Sequence, residues 1–160
     1  LRKEKEQLED ITGQKIVGTR QHYLNLDIPK TWEIHEKLDF QYDSSFGSNK
    51  MGFRENKFHP FYTANIKGEK MNLLEIPLTI MDSKSFKNYN EVFNKIINLF
   101  KVATENKGVV TINFHPNVFN EWEYFNYSLL YINIIKYAQQ NNAKIIPLGE
   151  LNKCWRKIII

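Results

Sequence analysis

Side chains able to act as acids or to bind anions follow two apolar runs of this sequence. The run at 108–114 is rich in β-branched residues and ends at His115, which a proline follows directly. Because proline has no backbone N–H to give to a strand ladder, His115 is predicted to lie where a buried strand becomes a loop. The run at 15–19 ends in a similar way, at Arg20 and His22. Two strands that deliver such side chains to one edge indicate an active site.

Polar residues lie at the ends of apolar runs throughout the chain. They are Arg20, His22, Asp43, Arg54, Asp82 and His115. The carboxyl ends of parallel strands share one edge, where α/β proteins usually build their sites, so we expect Arg20, Asp43 and His115 to cluster there. A carboxylate base, a histidine acid and an arginine that orients the carboxylate are the groups that acid–base hydrolysis needs. The alternative is that these residues are polar only because they lie in loops.

The other histidines are weaker candidates for a site. His35 lies in the charged helical stretch 33–37 and is predicted to be exposed to solvent. His59 either lines a cleft or has a structural role, and Glu75 alternates inside a strand, where it is either buried and paired or exposed. No two histidines have the His-x-His or His-x-x-x-His spacing, so the sequence predicts no complete local metal site.

Composition disfavours several classes of protein. The 160 residues are 42% hydrophobic and 14% aromatic, which suffices for one domain with a real core. The net charge of +4 comes from scattered lysines and arginines, which disfavours a nucleic-acid-binding arm. No apolar run reaches the roughly 18 residues that span a bilayer. Cys154 is the only cysteine, so the chain contains neither an internal disulfide framework nor a zinc ribbon. The sequence therefore predicts no particular cellular compartment.

Hydrophobic periodicity predicts alternating strands and helices. Helices are predicted at 1–11, 29–38, 86–103 and 125–138, the last preceded by a capping box at Asn120 and Glu123, and a short one from Gly149. Strands are predicted at 15–19, 40–45, 51–54, 73–81, 108–115 and 143–148, with Pro77 at a bulge or an edge and a mostly irregular segment at 45–70. This order favours an α/β fold with a mainly parallel sheet or barrel. The charged helical pattern is already under way at Leu1, which indicates the middle of a longer protein.

Five motifs, taken in order, resemble the C-terminal half of a polysaccharide deacetylase of the NodB-homology type (carbohydrate esterase family four). They are Gly18-Thr-Arg20-Gln-His-Tyr23, Leu38-Asp-Phe-Gln-Tyr42-Asp43-Ser-Ser45, Gly52-Phe-Arg54, Leu74-Glu75-Ile-Pro77 and Gly108-Val-Val-Thr-Ile-Asn-Phe-His115-Pro116. The closing stretch 131–151 is similar to the last helix and strand of that domain. The resemblance covers nearly the whole chain, so residues 1–160 are expected to form the C-terminal portion of a single deacetylase-like domain.

This resemblance implies part of a deformed (β/α) barrel with mainly parallel strands. It implies an enzyme that removes N-acetyl groups from a carbohydrate, either a polysaccharide or a sugar that contains N-acetylglucosamine. The family holds a divalent metal, zinc or similar, by one aspartate and two histidines, in motifs that precede the part seen here. The metal is therefore expected in the parent protein with its ligands outside this chain, and the isolated chain is expected to be inactive.

The resemblance also implies roles for individual residues. Arg20 matches the arginine of the family's Arg-x-Pro-Tyr motif, which orients the base carboxylate, although His22 stands here in place of the proline. His115 matches the general acid that protonates the leaving amine, and Asp43 matches an acidic position that tunes that histidine. The expected substrate-binding residues are His22, Tyr23, Arg54 and His59.

A second interpretation remains open at this point. In it the chain is a non-catalytic module of a degenerate deacetylase barrel, which binds glycan or serves only as a structural half. The absence of the metal motifs from this sequence favours that interpretation for the isolated chain. The presence of Arg20 and His115 favours an enzyme for the parent protein.

Overall fold

The structure is a computed structural model that describes residues 1–47, 50–82 and 88–158. Its helices are α1 Arg2–Thr12, α2 Lys30–Lys37, α3 Tyr89–Glu105, α4 Tyr127–Gln140 and α5 Leu148–Ile158. Its strands are β1 Gly18–Thr19, β2 Tyr42–Asp43, β3 Phe61–Ala64, β4 Lys70–Glu75, β5 Ile80–Met81 and β6 Ile112–Asn113. The described residues form two compact units: 1–46, 60–76 and 147–158 make up the first, and 47, 50–59, 77–82 and 88–146 make up the second.

The first unit is built on a four-stranded sheet in the order β1-β2-β4-β3. Strands β1, β2 and β4 are parallel, and β3 runs antiparallel to β4. The register places Thr19 opposite Asp43 and Asp43 opposite Glu75, so the polar ends of three parallel strands lie side by side. The predicted α/β class with a mainly parallel sheet is confirmed.

Apolar side chains from α2 and the sheet form the core of the first unit. Its buried members are Trp32, Phe40, Phe46, Met71 and Leu73. Helix α1 ends as predicted, because Gly13 takes the left-handed conformation at φ 63° and its N–H donates to the carbonyl of Glu9.

The second unit pairs β5 with β6 in parallel and packs α3 and α4 around a second core. Its buried members are Ile80, Ile96, Leu130 and Ile134. Helix α3 is the predicted long amphipathic helix, and it starts where the side chain of Asn88 accepts a hydrogen bond from the N–H of Glu91 at 3.3 Å. The predicted start at Phe86 lies outside the described residues.

The apolar stretch 73–81 is two strands, which corrects the single interrupted strand predicted for it. Strand β4 ends at Glu75 and β5 begins at Ile80, and the two belong to different sheets. Pro77 lies between them, and a proline cannot donate to a strand ladder. The prediction recognised the interruption but not that the chain changes sheets there.

The segment 45–70 is mostly irregular, as predicted, but it contains one strand that was not predicted. Residues Phe61–Ala64 form β3, which pairs with β4 through a tight turn. Gly68, at φ 80°, donates its N–H to the carbonyl of Asn65 in that turn. An Asn-x-x-Gly sequence is a turn signal, so the hairpin was readable from the sequence.

Three further local predictions are corrected. Residues 143–147 form no strand, because they are mostly exposed and only join α4 to α5. The stretch 51–54 is irregular and runs into a 3₁₀ turn at Arg54–Asn56. The Asn120 side chain accepts a hydrogen bond from the N–H of Trp122 within a turn, and α4 begins only after Asn126.

Candidate active site

Two buried carboxyl groups lie next to each other at the end of the parallel strands of the first unit. Asp43 ends β2 and Glu75 ends β4, and the register pairs them directly. Both residues are 0% exposed. A parallel ladder brings residues at equivalent positions on neighbouring strands together, so the strand ends themselves create this pair.

The Asp43 carboxylate is held asymmetrically. Its Oδ1 accepts hydrogen bonds from the N–H of Ser44 at 2.8 Å and from the hydroxyl of Ser45 at 2.6 Å. Its Oδ2 is buried without a hydrogen-bond partner among the described residues, and it lies 3.6 Å from Nδ1 of His35. One oxygen is therefore fixed by the turn after β2, and the other faces an imidazole.

Glu75 is held by donors from two other parts of the first unit. Its Oε2 accepts from Nε1 of Trp32 at 2.8 Å, and its Oε1 accepts from the N–H of Phe46 at 3.1 Å. Burial, with a further contribution from the neighbouring Asp43 carboxylate, raises the pKa of Glu75 well above its usual range. This carboxyl therefore favours its protonated form.

Arg20 follows β1 and lies beside this pair. Its Nε donates to the carbonyl of Ser44 at 2.9 Å, and its Nη2 donates to the hydroxyl of Ser44 at 2.8 Å. Burial lowers the pKa of Arg20, while Asp43 and Glu75 act in the opposite direction. The structure thus brings Arg20 and Asp43 together, with Ser44 bonded to both.

His35 is fully buried, so its predicted exposure was wrong. The residue lies three positions after Trp32 in α2, and both side chains lie on the buried face of that helix. Its Nε2 lies 2.8 Å from the amide nitrogen of Gln21, and its ring meets Phe40 edge-on with the centroids 5.6 Å apart. The prediction of exposure was based on the charged neighbours of His35 in the sequence. The signal for burial was its spacing of three residues from Trp32, which places both side chains on one helix face.

His115 and Asp82 form a separate pair in the second unit. Strands β5 and β6 pair Met81 with Asn113, and the two acid–base residues follow those positions. Nδ1 of His115 lies 2.6 Å from Oδ1 of Asp82, and the N–H of His115 donates to Oδ2 of Asp82 at 3.1 Å. The carboxylate therefore holds both the ring and the backbone of the histidine.

The two members of this pair differ in exposure in a way that suits proton transfer. The side chain of Asp82 is 2% exposed, whereas that of His115 is 51% exposed. Because Nδ1 is engaged by the carboxylate, the ring tautomer is fixed and Nε2 is the nitrogen left for chemistry. An imidazole that is oriented in this way can give a proton to, or take one from, a molecule in solvent reach.

The four predicted substrate-binding residues divide between the two units. In the first, the rings of His22 and Tyr23 lie 4.1 Å apart, both are exposed, and they border an open cleft of about 650 Å³. In the second, Arg54 Nη1 donates to the carbonyl of Gly47 at 3.2 Å, and His59 Nε2 bonds to the carbonyl of Lys107 at 3.1 Å. Their common role, and the clustering of Arg20 and Asp43 with His115, stay predictions.

The described residues contain no group of three or more His, Cys, Asp or Glu side chains able to hold a metal ion. The donor set needed for the divalent metal that the resemblance implies is therefore not formed by 1–47, 50–82 and 88–158. Over the same residues, no helix is long and apolar enough to cross a membrane.

No protein-family model matches the chain, and the search of curated proteins found no match.

Three residues of the candidate sites were not predicted from the sequence as site residues. Asp82 was recognised only as one of several polar strand ends, yet it is the carboxylate bonded to His115, a place expected for Asp43. Glu75 was left open and is buried and paired. A charged residue inside the apolar run at 73–78 was the signal for it, because a buried carboxyl needs partners. The third is His35.

Proposed function

We propose that this chain is the later part of a metal-dependent hydrolase that removes N-acetyl groups from a carbohydrate, with His115 and Asp82 as its proton-transfer pair. The observation that carries the proposal is the 2.6 Å contact between the half-exposed imidazole and the buried carboxylate at the ends of two paired parallel strands. A single polar residue in a surface loop has no need of such a partner.

The pair suits the hardest part of amide hydrolysis. An amine is a poor leaving group until it is protonated, so cleavage of an acetamide needs a proton donor next to the departing nitrogen. His115 would supply that proton from Nε2, and Asp82 would keep the ring in place and compensate the charge of its protonated form.

The first unit supports the proposal independently. Asp43 and Glu75 end two parallel strands of one sheet and Arg20 follows a third, at the edge where α/β proteins bind and transform substrates. In the proposal, Arg20 and Asp43 belong to the base side of the reaction, and their parallel strands are part of a deformed (β/α) barrel.

A divalent metal, zinc or similar, belongs to the proposal through the resemblance. Its ligands in the proposal are the family's aspartate and two histidines, which the resemblance does not assign to residues of this chain. The roles proposed for this chain are therefore confined to its own side chains: proton transfer at His115, and orientation by Asp82 and Arg20.

A second candidate is a module that binds glycan without cleaving it. Exposed aromatic side chains in the segment after His115 favour it: Phe119, Trp122 and Phe125 are 40%, 98% and 75% exposed. Such exposed apolar rings commonly mark interaction surfaces.

The test measures acetate release from N-acetylglucosamine oligomers by the complete protein that contains this chain, together with binding of the same oligomers. Acetate release that depends on His115 supports the hydrolase. Oligomer binding with no acetate release, at any divalent metal supplied, would instead establish the binding module.

A further inference from the structure

The Arg20 guanidinium is the permanently charged cation whose interaction with both carboxyl groups of the first unit is seen among the described residues. Asp43 and Glu75 are directly paired in register and are both fully buried, and Arg20 is the arginine that lies beside them. Two ionised carboxylates here would leave one buried negative charge without compensation. Such a charge is far more costly than a proton retained on one of the two groups.

The hydrogen bonds distinguish the two carboxyl groups. Asp43 Oδ1 accepts two short bonds from the Ser44–Ser45 turn, as an ionised carboxylate does. Each Glu75 oxygen accepts one bond, from Trp32 and from Phe46 respectively, which leaves room for a proton on the carboxyl.

His35 faces the remaining oxygen of Asp43. With the Gln21 amide donating to Nε2 at 2.8 Å, the ring proton lies on Nδ1. That nitrogen is 3.6 Å from Asp43 Oδ2, and neither atom has another hydrogen-bond partner among the described residues. These two buried polar atoms therefore face each other as donor and acceptor.

We propose that Glu75 and His35 are positioning residues for Asp43: Glu75 retains a proton so that the pair carries a single negative charge, and His35 directs its Nδ1 proton to Asp43 Oδ2. The result is one buried carboxylate, Asp43, matched to one guanidinium, Arg20. The charge state concerns the first unit alone, whereas its importance for acetate release rests on the proposed function.

The titratable groups around Glu75 agree with this arrangement. They are Asp43 at the end of β2, Arg20 after β1 and His35 in α2, with Tyr42 next to Arg20. Burial raises the pKa of Tyr42, and Arg20 acts in the opposite direction, so this phenol supplies no second negative charge near neutral pH. The raised pKa of Glu75 supports the same protonation state.

The test is a carbon-13 carboxyl titration of the protein by NMR, compared with Glu75→Gln and with Glu6→Gln as the matched control on an exposed carboxyl. The signal lost in Glu75→Gln should still be that of a protonated carboxyl at a pH above the usual range of a glutamate. Nitrogen-15 shifts of His35 should show the Nδ1–H tautomer. An ionised Glu75 signal in step with Glu6 overturns the proposal, as does the Nε2–H tautomer of His35.

A second measurement keeps the proposal testable if the carboxyl signals overlap. A group whose pKa is higher in the folded chain than in the unfolded chain stabilises the fold below its unfolded pKa, and this contribution is lost as the pH rises through its folded pKa. The stability advantage of the wild type over Glu75→Gln should therefore shrink as the pH rises above the usual range of a glutamate. A constant difference contradicts a proton held by Glu75.

Neither measurement uses acetate release, so the two proposals fail separately. A protein that releases no acetate but keeps a protonated Glu75 contradicts only the proposed function. If acetate is released, Glu75→Gln should extend the alkaline side of its pH profile to higher pH, whereas a merely structural role of Glu75 predicts a change in the amount of activity with no change in the shape of the pH profile.

Discussion

The carboxylate of Asp82 forms two hydrogen bonds with His115, one with the ring Nδ1 at 2.6 Å and one with the backbone N–H at 3.1 Å. The two residues lie one and two positions beyond Met81 and Asn113, which pair in register. The parallel pairing of β5 and β6 therefore brings the two residues together.

Removal of the imidazole should abolish most of the proposed activity but little of the stability. In the complete protein, His115→Ala is expected to slow acetate release by about 10²–10⁴, the usual contribution of a general acid. The side chain is half exposed, so no core cavity forms.

Acetate release from an N-acetylglucosamine oligomer is measured with circular dichroism as the folding control. Gln139→Ala, at an exposed position of α4, is the matched variant. Unchanged release in His115→Ala excludes the acid role.

An amide of the same size should not replace the Asp82 carboxylate, because the carboxylate offers two acceptor oxygens to His115. Asp82→Asn keeps the size of the side chain but replaces one acceptor oxygen by a donor, so either the His115 ring or its N–H loses its partner. We expect a lower kcat with a largely unchanged KM, and a loss of about 1–3 kcal/mol in the free energy of unfolding. Asp10→Asn on the exposed face of α1 is the control. Equal kcat values for Asp82→Asn and wild type would contradict an orienting role.

The indole N–H of Trp32 should contribute to stability through Glu75. Trp32→Phe keeps an aromatic ring in the core but removes the 2.8 Å bond to Glu75 Oε2, which leaves a buried oxygen with one donor fewer. We expect a loss of about 1–3 kcal/mol in the free energy of unfolding by urea. Trp122→Phe changes a side chain that is 98% exposed and should stay within about 0.5 kcal/mol of wild type. A similar effect of both substitutions would argue against the buried bond.

Gly108 should tolerate no side chain. A Cβ at this position would lie 2.7 Å from the carbonyl oxygen of Phe58, which itself accepts a hydrogen bond from the N–H of Val109 at 2.8 Å. Backbone atoms cannot move aside as a side chain can, so Gly108→Ala should cost about 1–3 kcal/mol. Gly149→Ala is the control, because its Cβ would meet only Tyr42 Oη at 3.9 Å in α5, where alanine favours the helix. Thermal denaturation of both variants is the measurement, and equal midpoints would contradict the close approach.

The sequence by itself determined the helices, the α/β class and the place of the catalytic candidates along the chain. Periodicity located α1 to α4 because three- and four-residue spacing is a local property of a helix face. His115 was predicted at a strand end because a proline follows it, and Gly13 was predicted to end α1. These inferences needed no knowledge of what lies across the fold.

Only the tertiary structure decided which side chains meet. The partner of His115 is Asp82, 33 positions earlier, because β5 and β6 pair in parallel, and no local pattern encodes that register. His35 is buried because its helix packs on the sheet of the first unit, although its neighbours in sequence are charged. Sheet pairing and burial depend on contacts between distant segments, whereas helical periodicity is local. Candidate residues could therefore be predicted from the sequence, whereas their partners are determined by how the strands pair and pack.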